Sequence, residues 1–131
     1  MSQIQPVESG DASPGTGGYT PALVAGDLVF VSGQGPLDPR TLEVRGETVP
    51  EQTQFTLENV IALVRAAGGR PEDIVRCTCY LASIDTFAEF TAEYERVFAH
   101  RPRPTRTTVG ADLQGILVEI DCIAYVPRAS G

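Results

Sequence analysis

The sequence predicts an α+β domain in which one mixed β-sheet carries two helices packed on one face. Three observations lead to this fold class: strand-like and helical segments in the order ββαβαββ, one apolar stripe on each helical segment, and no linker or internal repeat. A chain of 131 residues fits one domain. We therefore expect a single domain over residues 1–131. Residues 1–17 are polar and rich in glycine, serine and proline, which predicts a loosely ordered N-terminal segment.

The first two strands and the loop after them are predicted from turn residues and hydrophobic patterning. Residues 21–25 and 28–32 are extended arms joined across Gly26-Asp27, a favourable pair for a hairpin turn. The second arm is almost wholly apolar, which predicts a central position in the sheet. The stretch 33–46 contains three glycines and two prolines, so we expect a long loop there.

Two amphipathic helices are predicted, one on each side of a strand over residues 74–82. Thr48 and Glu51 have the spacing of a capping box at the start of the first helix, and Gly68 follows its last turn. Asp85 is placed to cap the second helix. The apolar stripe of the second helix is more typical of core packing than of a cofactor site. The stripe consists of Phe87, Phe90, Tyr94, Val97 and Phe98.

The last two predicted strands bring two charged side chains together. If they form a hairpin centred between Asp112 and Leu113, Arg106 and Glu119 lie directly opposite each other on one face. A guanidinium binds a carboxylate in bidentate fashion and also lowers the pKa of a carboxyl group beside it. The pair therefore suits a small acidic substrate and a water, but a cross-strand ion pair worth about 0.2–1 kcal/mol fits the spacing equally well. Asp121 shares the strand face, and periodicity does not separate its role from that of Glu119.

The final strand also predicts self-association. It is apolar on both faces, and one layer of helices covers only one of them. Leu117, Ile123 and Tyr125 are expected on the uncovered face. A neighbouring copy of the chain is the simplest cover, so we expect a homo-oligomer.

The composition excludes several kinds of site. All ten basic residues are arginine, so no Schiff-base lysine, pyridoxal-phosphate anchor or P-loop is available. His100 is the only histidine, which excludes a metal cage built on several histidines. Cys77, Cys79 and Cys122 are expected to be buried apolar residues. We predict no metal site and no cofactor.

Charge and hydropathy limit the partners and the compartment. A net charge of −7 argues against general affinity for nucleic acid. No apolar run of 18 residues is present, so no membrane span is predicted. The first residues lack the basic start and the apolar stretch of a secretory signal, which predicts a cytoplasmic protein.

Three further residues are candidates for a binding site near the first strands. Ser32 and Gly33 follow directly on the apolar strand, where a hydroxyl and an open backbone can approach a ligand. Tyr19 follows two glycines, and its ring and phenol can close a site. Anchoring of the N-terminal segment is the alternative role for Tyr19.

Taken together, these segments resemble the RidA family, also called YjgF-type proteins, over nearly the whole chain. The combination of segments is specific, although each alone is not. They are GGYTPAL from residue 17, LVFVSGQGPLDP from residue 28, QFTLENVIALVRAAGG from residue 54, DIVRCTCYLASIDTFAEF from residue 73 and RPTRTTVGADLQGILVEIDCIA from residue 103.

The resemblance implies a chorismate-mutase-like fold assembled as a homotrimer, with sites in the clefts between subunits. The activity it implies is cofactor-free hydrolytic deamination of reactive enamines and imines of the 2-aminoacrylate type, giving 2-keto acids and ammonia. Such an enzyme is a 2-iminobutanoate/2-iminopropanoate deaminase-like hydrolase. By the family's pattern Arg106 grips the substrate carboxylate, Glu119 positions the water, and Tyr19 is a third catalytic residue. Ser32 and Gly33 correspond to substrate-binding residues.

Two residues depart from the family's pattern. Thr108 stands where many members have a cysteine two residues beyond the arginine, and Thr91 stands where the family has an asparagine on the second helix. Both remain candidate substrate-binding residues. These changes bear on substrate preference more than on the type of reaction.

The alternative function is a module without catalysis. It would bind small acids without turnover, or act on RNA or protein partners, as relatives described as translation inhibitors or chaperone-like proteins do.

Overall fold

The computed structural model describes residues 4–15 and 17–128 and contains a six-stranded mixed sheet with two helices. The strands are β1 (Ile4–Val7), β2 (Ala22–Ala25), β3 (Leu28–Gln34), β4 (Ile74–Leu81), β5 (Thr105–Gly110) and β6 (Val118–Tyr125). The helices are α1 (Val49–Ala66) and α2 (Phe87–Val97), and neither is long and apolar enough to cross a membrane. The predicted α+β class is confirmed.

Strand order explains the mixed character of the sheet. The order is β1-β2-β3-β6-β4-β5, in which β4 and β5 pair in parallel and the other described neighbours pair antiparallel. Helix α1 packs on β3 and β6, and α2 packs beside α1. The core therefore lies between the two helices and one face of the sheet.

Helix α1 begins and ends where the sequence predicts. Thr48 Oγ1 accepts a hydrogen bond from the backbone N–H of Glu51 at 3.3 Å, and the Glu51 carboxylate accepts one from the N–H of Thr48 at 3.2 Å. This capping box satisfies backbone donors that the first helical turn leaves free. Gly68 follows the helix at φ +92°, a conformation that side chains disfavour.

Helix α2 begins later than predicted. The Ser83 side chain accepts from the N–H of Asp85 in a 3-10 turn over Ile84–Thr86, so Asp85 does not cap α2. Most of the predicted apolar stripe is core: the rings of Phe90, Tyr94 and Phe98 are buried in a continuous stack. Phe87 is 43% exposed at the start of the helix.

The predicted hairpin of the last two strands is wrong. β5 takes the edge of the sheet beside β4, and β6 runs between β3 and β4. Residues 111–117 do turn, with Gly115 at φ +81°, but they carry the chain past β4 and not back along β5. The reason is hydrophobic: β6 has apolar residues on both faces and suits a central strand, whereas the polar β5 tolerates an edge.

Strand β1 lies inside the segment that the sequence predicts to be loosely ordered. Ile4–Val7 pairs with β2, and Val7 is buried at the end of the strand. Four residues that include Pro6 carry no clear strand pattern, and an edge position tolerates proline. Residues 1–3 and 16 of the segment lie outside the described residues.

The sheet face opposite the helices is uncovered in the single chain. Leu28, Phe30 and Tyr125 are 38%, 40% and 50% exposed there, and Ile123 is paired with Phe30 across β3 and β6. Leu117, expected on this face, precedes β6 and packs partly against the core. An apolar face of this kind is typical of a surface that meets another subunit.

The buried side chain of Asn59 ties α1 to the loop after β3. Its Nδ2 donates to the backbone carbonyls of Gly35 at 2.9 Å and Leu37 at 3.0 Å. The side chain is fully buried. The loop that leaves the end of β3 is thus fixed to the helix.

We expect Asn59→Ala to lower the free energy of unfolding by about 1–3 kcal/mol, because two half-buried carbonyl groups lose their donor. Urea denaturation at a fixed protein concentration measures the change. Gln54→Ala is the control: it removes an exposed amide bonded to Glu58 and should change the free energy by less than about 0.5 kcal/mol. Equal effects of the two substitutions would contradict the structural role of Asn59.

Candidate functional site

Arg106 lies on β5 and points to the helix side of the sheet. Its Nη2 donates to Thr91 Oγ1 of α2 at 3.1 Å. The guanidinium carbon lies 4.8 Å from the ring centroid of Tyr94, 5.2 Å from that of Phe87 and 5.5 Å from that of Phe90. Aromatic faces attract a cation at such distances, so α2 holds the guanidinium in place. Among the described residues no carboxylate forms an ion pair with it, which leaves donors available for an anion.

Thr108 lies two residues further along the same face of β5. Its Oγ1 is buried and has no hydrogen-bond partner within the part of the chain that the structure describes. An unpaired buried hydroxyl costs about 1–3 kcal/mol, so a polar ligand atom would be favoured beside it. Arg106, Thr91 and Thr108 form one cluster, the arginine half-site.

Glu119 points to the uncovered face of the sheet. Its neighbours Val118 and Ile120 on β6 are buried on the helix side, and side chains alternate along a strand. A cavity of 270 Å³ opens beside the carboxylate. Its lining residues, the glutamate half-site, are Tyr19, Ser32, Gly33 and Glu119.

An irregularity in β3 brings Gly33 against Glu119. The register with β6 shifts at this point of the strand. A β-carbon on Gly33 would lie 2.5 Å from Glu119 Oε2, so a larger residue there would push the Glu119 carboxylate out of its present position. Ser32 Oγ donates to the carbonyl of Thr20 at 2.7 Å, which ties the strand to the segment that carries Tyr19.

The environment of Glu119 disfavours its charged form. Burial raises the pKa of its carboxyl group above the ordinary value, and the nearby charge of Asp121 raises it further. The lowered pKa expected from the sequence is therefore wrong for the single chain, because no guanidinium lies beside this carboxylate. The Asp121 Oδ2 accepts a hydrogen bond from the Tyr80 hydroxyl at 3.1 Å.

Arg106 and Glu119 do not face each other within one chain. Arg106 is in register with Cys77 of β4, and Cys77 is in register with Cys122 of β6, three residues beyond Glu119. With strands about 4.8 Å apart and a rise of about 3.3 Å per residue, their Cα atoms are roughly 14 Å apart. Their side chains also lie on opposite faces. The two half-sites are separate in the single chain.

The cysteines lie in the core, as predicted. Cys77, Cys79 and Cys122 are free and buried. Burial raises the pKa of the Cys77 thiol to about 11, so a reactive thiolate is disfavoured near neutral pH. Within the described residues no three metal-ligating side chains come together.

The structure adds four residues to the candidate site. Phe87, Phe90 and Tyr94 were predicted to be core, and they also support the Arg106 guanidinium. Tyr80 contacts Asp121 and was not singled out. Its position between the buried residues Cys79 and Leu81 places it on the uncovered face, but only the pairing of β4 with β6 shows which groups it meets.

Comparison with known proteins gives matches over most of the chain. Residues 10–126 match the family model described as Endoribonuclease L-PSP. A RutC family protein of Saccharolobus solfataricus is 39% identical over 110 residues, which cover 82% of this chain and 86% of that protein. The crystal structure of TdcF of E. coli with bound serine is 32% identical, with a TM-score of 0.86 over 95% of this chain and 99% of that chain.

The YjgF gene product of E. coli is also similar, with 31% identity and a TM-score of 0.85 over 92% of this chain and 98% of that chain. The similarity of fold confirms the chorismate-mutase-like arrangement of sheet and helices. With the family model matched from residue 10 to residue 126, the protein belongs to the RidA family of YjgF-type proteins.

Proposed function

We propose that this protein hydrolyses reactive 2-imino acids, and the enamines that give rise to them, to 2-keto acids and ammonia. The observation that carries this proposal is the half-buried guanidinium of Arg106, which α2 holds and no described carboxylate neutralises. Such a group binds a small carboxylate in bidentate fashion. The serine bound in the related TdcF supports a ligand of this size that carries a carboxylate group.

The two half-sites meet, in this proposal, between copies of the chain. A site made of two different surface regions needs a head-to-tail interface, and such an interface closes when it forms a ring. In a homotrimer each subunit would give its arginine half-site to one neighbour and its glutamate half-site to the other. The uncovered apolar face around Phe30 and Tyr125 supplies a surface that association would bury.

The proposed reaction starts with the substrate carboxylate on Arg106. An enamine first takes a proton at carbon and loses one from nitrogen, which gives the imine. Glu119 of the neighbouring subunit accepts a proton from water as the water oxygen attacks the C=N carbon, and the nitrogen takes a proton from solvent to give a carbinolamine. The C–N bond then breaks as the hydroxyl releases its proton to solvent and the nitrogen takes one from Glu119. Imine and water thus become keto acid and ammonia, with acid–base assistance worth about 10²–10⁴-fold.

The raised pKa of Glu119 suits both halves of this cycle, because such a carboxyl group accepts and returns a proton closer to neutral pH. Arg106 of the partner subunit would favour the carboxylate form in the assembled cleft, and the substrate's own carboxylate would offset that effect.

The remaining residues hold the substrate in this scheme. Tyr19 lines the cavity beside Glu119, and the open backbone at Gly33 lets a ligand approach. Ser32 orders the segment that carries Tyr19. The unpaired Thr108 hydroxyl can bond the substrate carboxylate next to Arg106.

A second candidate function is binding of small amino or keto acids without turnover. The serine in TdcF favours it as much as it favours the enzyme. The decisive measurement is ammonia release from imines generated in solution by an amino-acid oxidase acting on a panel of amino acids. Binding of pyruvate without ammonia release from any imine would support the binding protein and contradict the enzyme.

We expect Arg106→Ala to lower kcat/KM for 2-iminopropanoate by about 10²-fold or more, because each hydrogen bond to a charged group is worth about 1.5–3 kcal/mol. The matched control is Arg70→Ala, since Arg70 is an exposed arginine in the turn before β4 that pairs with Asp73 and belongs to neither half-site. Its activity should stay at the wild-type level. Equal losses in the two variants would count against the carboxylate clamp.

We expect Glu119→Gln to lower kcat by about 10²–10⁴-fold, because the amide cannot take a proton from water. Pyruvate affinity, measured by calorimetry, should remain within a few-fold of the wild type, since Arg106 is untouched. Glu72→Gln, which removes an exposed carboxylate far from the cavity, is the control. Wild-type turnover in Glu119→Gln would remove this residue from the mechanism.

Mixing the two inactive variants tests the shared site. Copies of Arg106→Ala and Glu119→Gln, unfolded together in equal amounts and refolded, should regain about a quarter of wild-type activity, because each site draws half at random from each of two copies. Sedimentation should show a trimer for the mixture and for each variant. A 14 kDa species alone, or no regain of activity in mixed trimers, would show that the site does not form between subunits.

A further inference from the structure

A row of three interacting groups lies on the uncovered face next to the glutamate half-site. Glu119 and Asp121 are two residues apart on β6, so their side chains share a face at a Cα separation of about 7 Å. Tyr80 of β4 is in register with Glu119, but its hydroxyl donates diagonally to Asp121 Oδ2 at 3.1 Å. Tyr80 thus holds the carboxyl group of Asp121 and not that of Glu119.

Asp121 lies next to the cavity beside Glu119 but is not one of the residues that line it. It lines a second cavity of 310 Å³ on the same face, which shares Ser32 and Gly33 with the cavity beside Glu119. The phenol of Tyr80 holds the Asp121 carboxyl group in place by this hydrogen bond. Burial and this same bond raise the pKa of Tyr80, so the phenol stays a donor at neutral pH. The acidic side chain of Asp121 is therefore held next to Glu119, where its charge acts on the Glu119 carboxyl group.

We propose that Asp121, held by Tyr80, is a positioning residue that governs the protonation of Glu119 and so its strength as the base of the hydrolysis. This inference rests on the proposed function of Glu119. A second negative charge near an existing one is disfavoured, so Glu119 binds its proton more tightly than a lone carboxylate would. A base that binds a proton more tightly removes one from water more readily.

Among the described residues around Glu119, Asp121 is the charged side chain that acts on its carboxyl group. Tyr19 faces it from the segment before β2, and Tyr80 faces it from β4. β3 contributes Ser32 and Gly33, which do not titrate. No cationic side chain of the described residues acts on Glu119. Arg106 of the partner subunit would act on wild type and variants alike, so the difference made by Asp121 remains.

The test compares the pH dependence of kcat/KM in the wild type and in Asp121→Asn over about pH 4 to 8. Without the neighbouring charge Glu119 loses its proton more easily, so the acidic limb should move to lower pH and the plateau should fall. Asp121→Glu keeps the charge and should restore the wild-type limb. Glu72→Gln removes an equal charge far from the site and should not move it.

Carbon-13 NMR titration measures the pH at which the Glu119 carboxyl group loses its proton, and it does not depend on turnover. The Glu119 signal is assigned by its absence in Glu119→Gln. A midpoint that moves to lower pH in Asp121→Asn supports the inference even if no imine is hydrolysed, in which case only the proposed function fails. An unmoved midpoint overturns the inference even if turnover persists. If Asp121→Asn does not assemble, Tyr80→Phe releases the Asp121 carboxylate and should move the midpoint in the same direction; no movement overturns the inference.

Discussion

The position of β6 between β3 and β4 determines where every candidate functional side chain points. β6 is a central strand, and its side chains alternate between the two faces of the sheet. Its even-numbered residues are buried in the core, and its odd-numbered residues, including Glu119 and Asp121, face away from the helices. The same pairing sends β5 to the edge, where Arg106 turns towards α2. One topological choice thus places the cation and the carboxylate on opposite sides of a single sheet.

Under the proposed function, the chemistry of this protein therefore depends on association. In the single chain the Arg106 guanidinium contacts aromatic rings and the Thr91 hydroxyl. The Glu119 carboxyl group is partly buried and lies near a second acidic residue, Asp121. Neither group has a counter-ion among the described residues. A neighbouring subunit that covers the apolar face would bring opposite charges together in a cleft where water is limited, and electrostatic interactions are stronger there than in bulk solvent.

Rigid local structure supports each half separately. The capping box and the Asn59 hydrogen bonds fix α1 and the loop after β3, close to Ser32 and Gly33. The ring stack of α2 fixes the helix that carries Thr91. Each half-site is therefore ordered before a ligand or a second subunit arrives, which reduces the entropy lost on binding.

Local pattern was enough to predict much of this protein. Hydrophobic periodicity and turn residues predicted the fold class, α1 with its cap at Thr48, and the hairpin across Gly26-Asp27, because these features depend on neighbours within a few residues. Arg106 and Glu119 were singled out as candidate site residues from charge on strands and from the family's motif, and their roles remain a proposal. Strand partners were not predictable in the same way, and the hairpin that paired these two residues was wrong.

Only the tertiary structure decided which strand lies beside which, and with it the face and the neighbours of each strand side chain. Alternation along a strand shows that two faces exist but not which groups from distant segments share them. Tyr80 and Asp121 are 41 positions apart in the chain and meet through one hydrogen bond. Contacts of this kind come from the packing of a whole sheet, in which burial of apolar residues on both faces of β6 outweighs the short connection that would have folded it back onto β5.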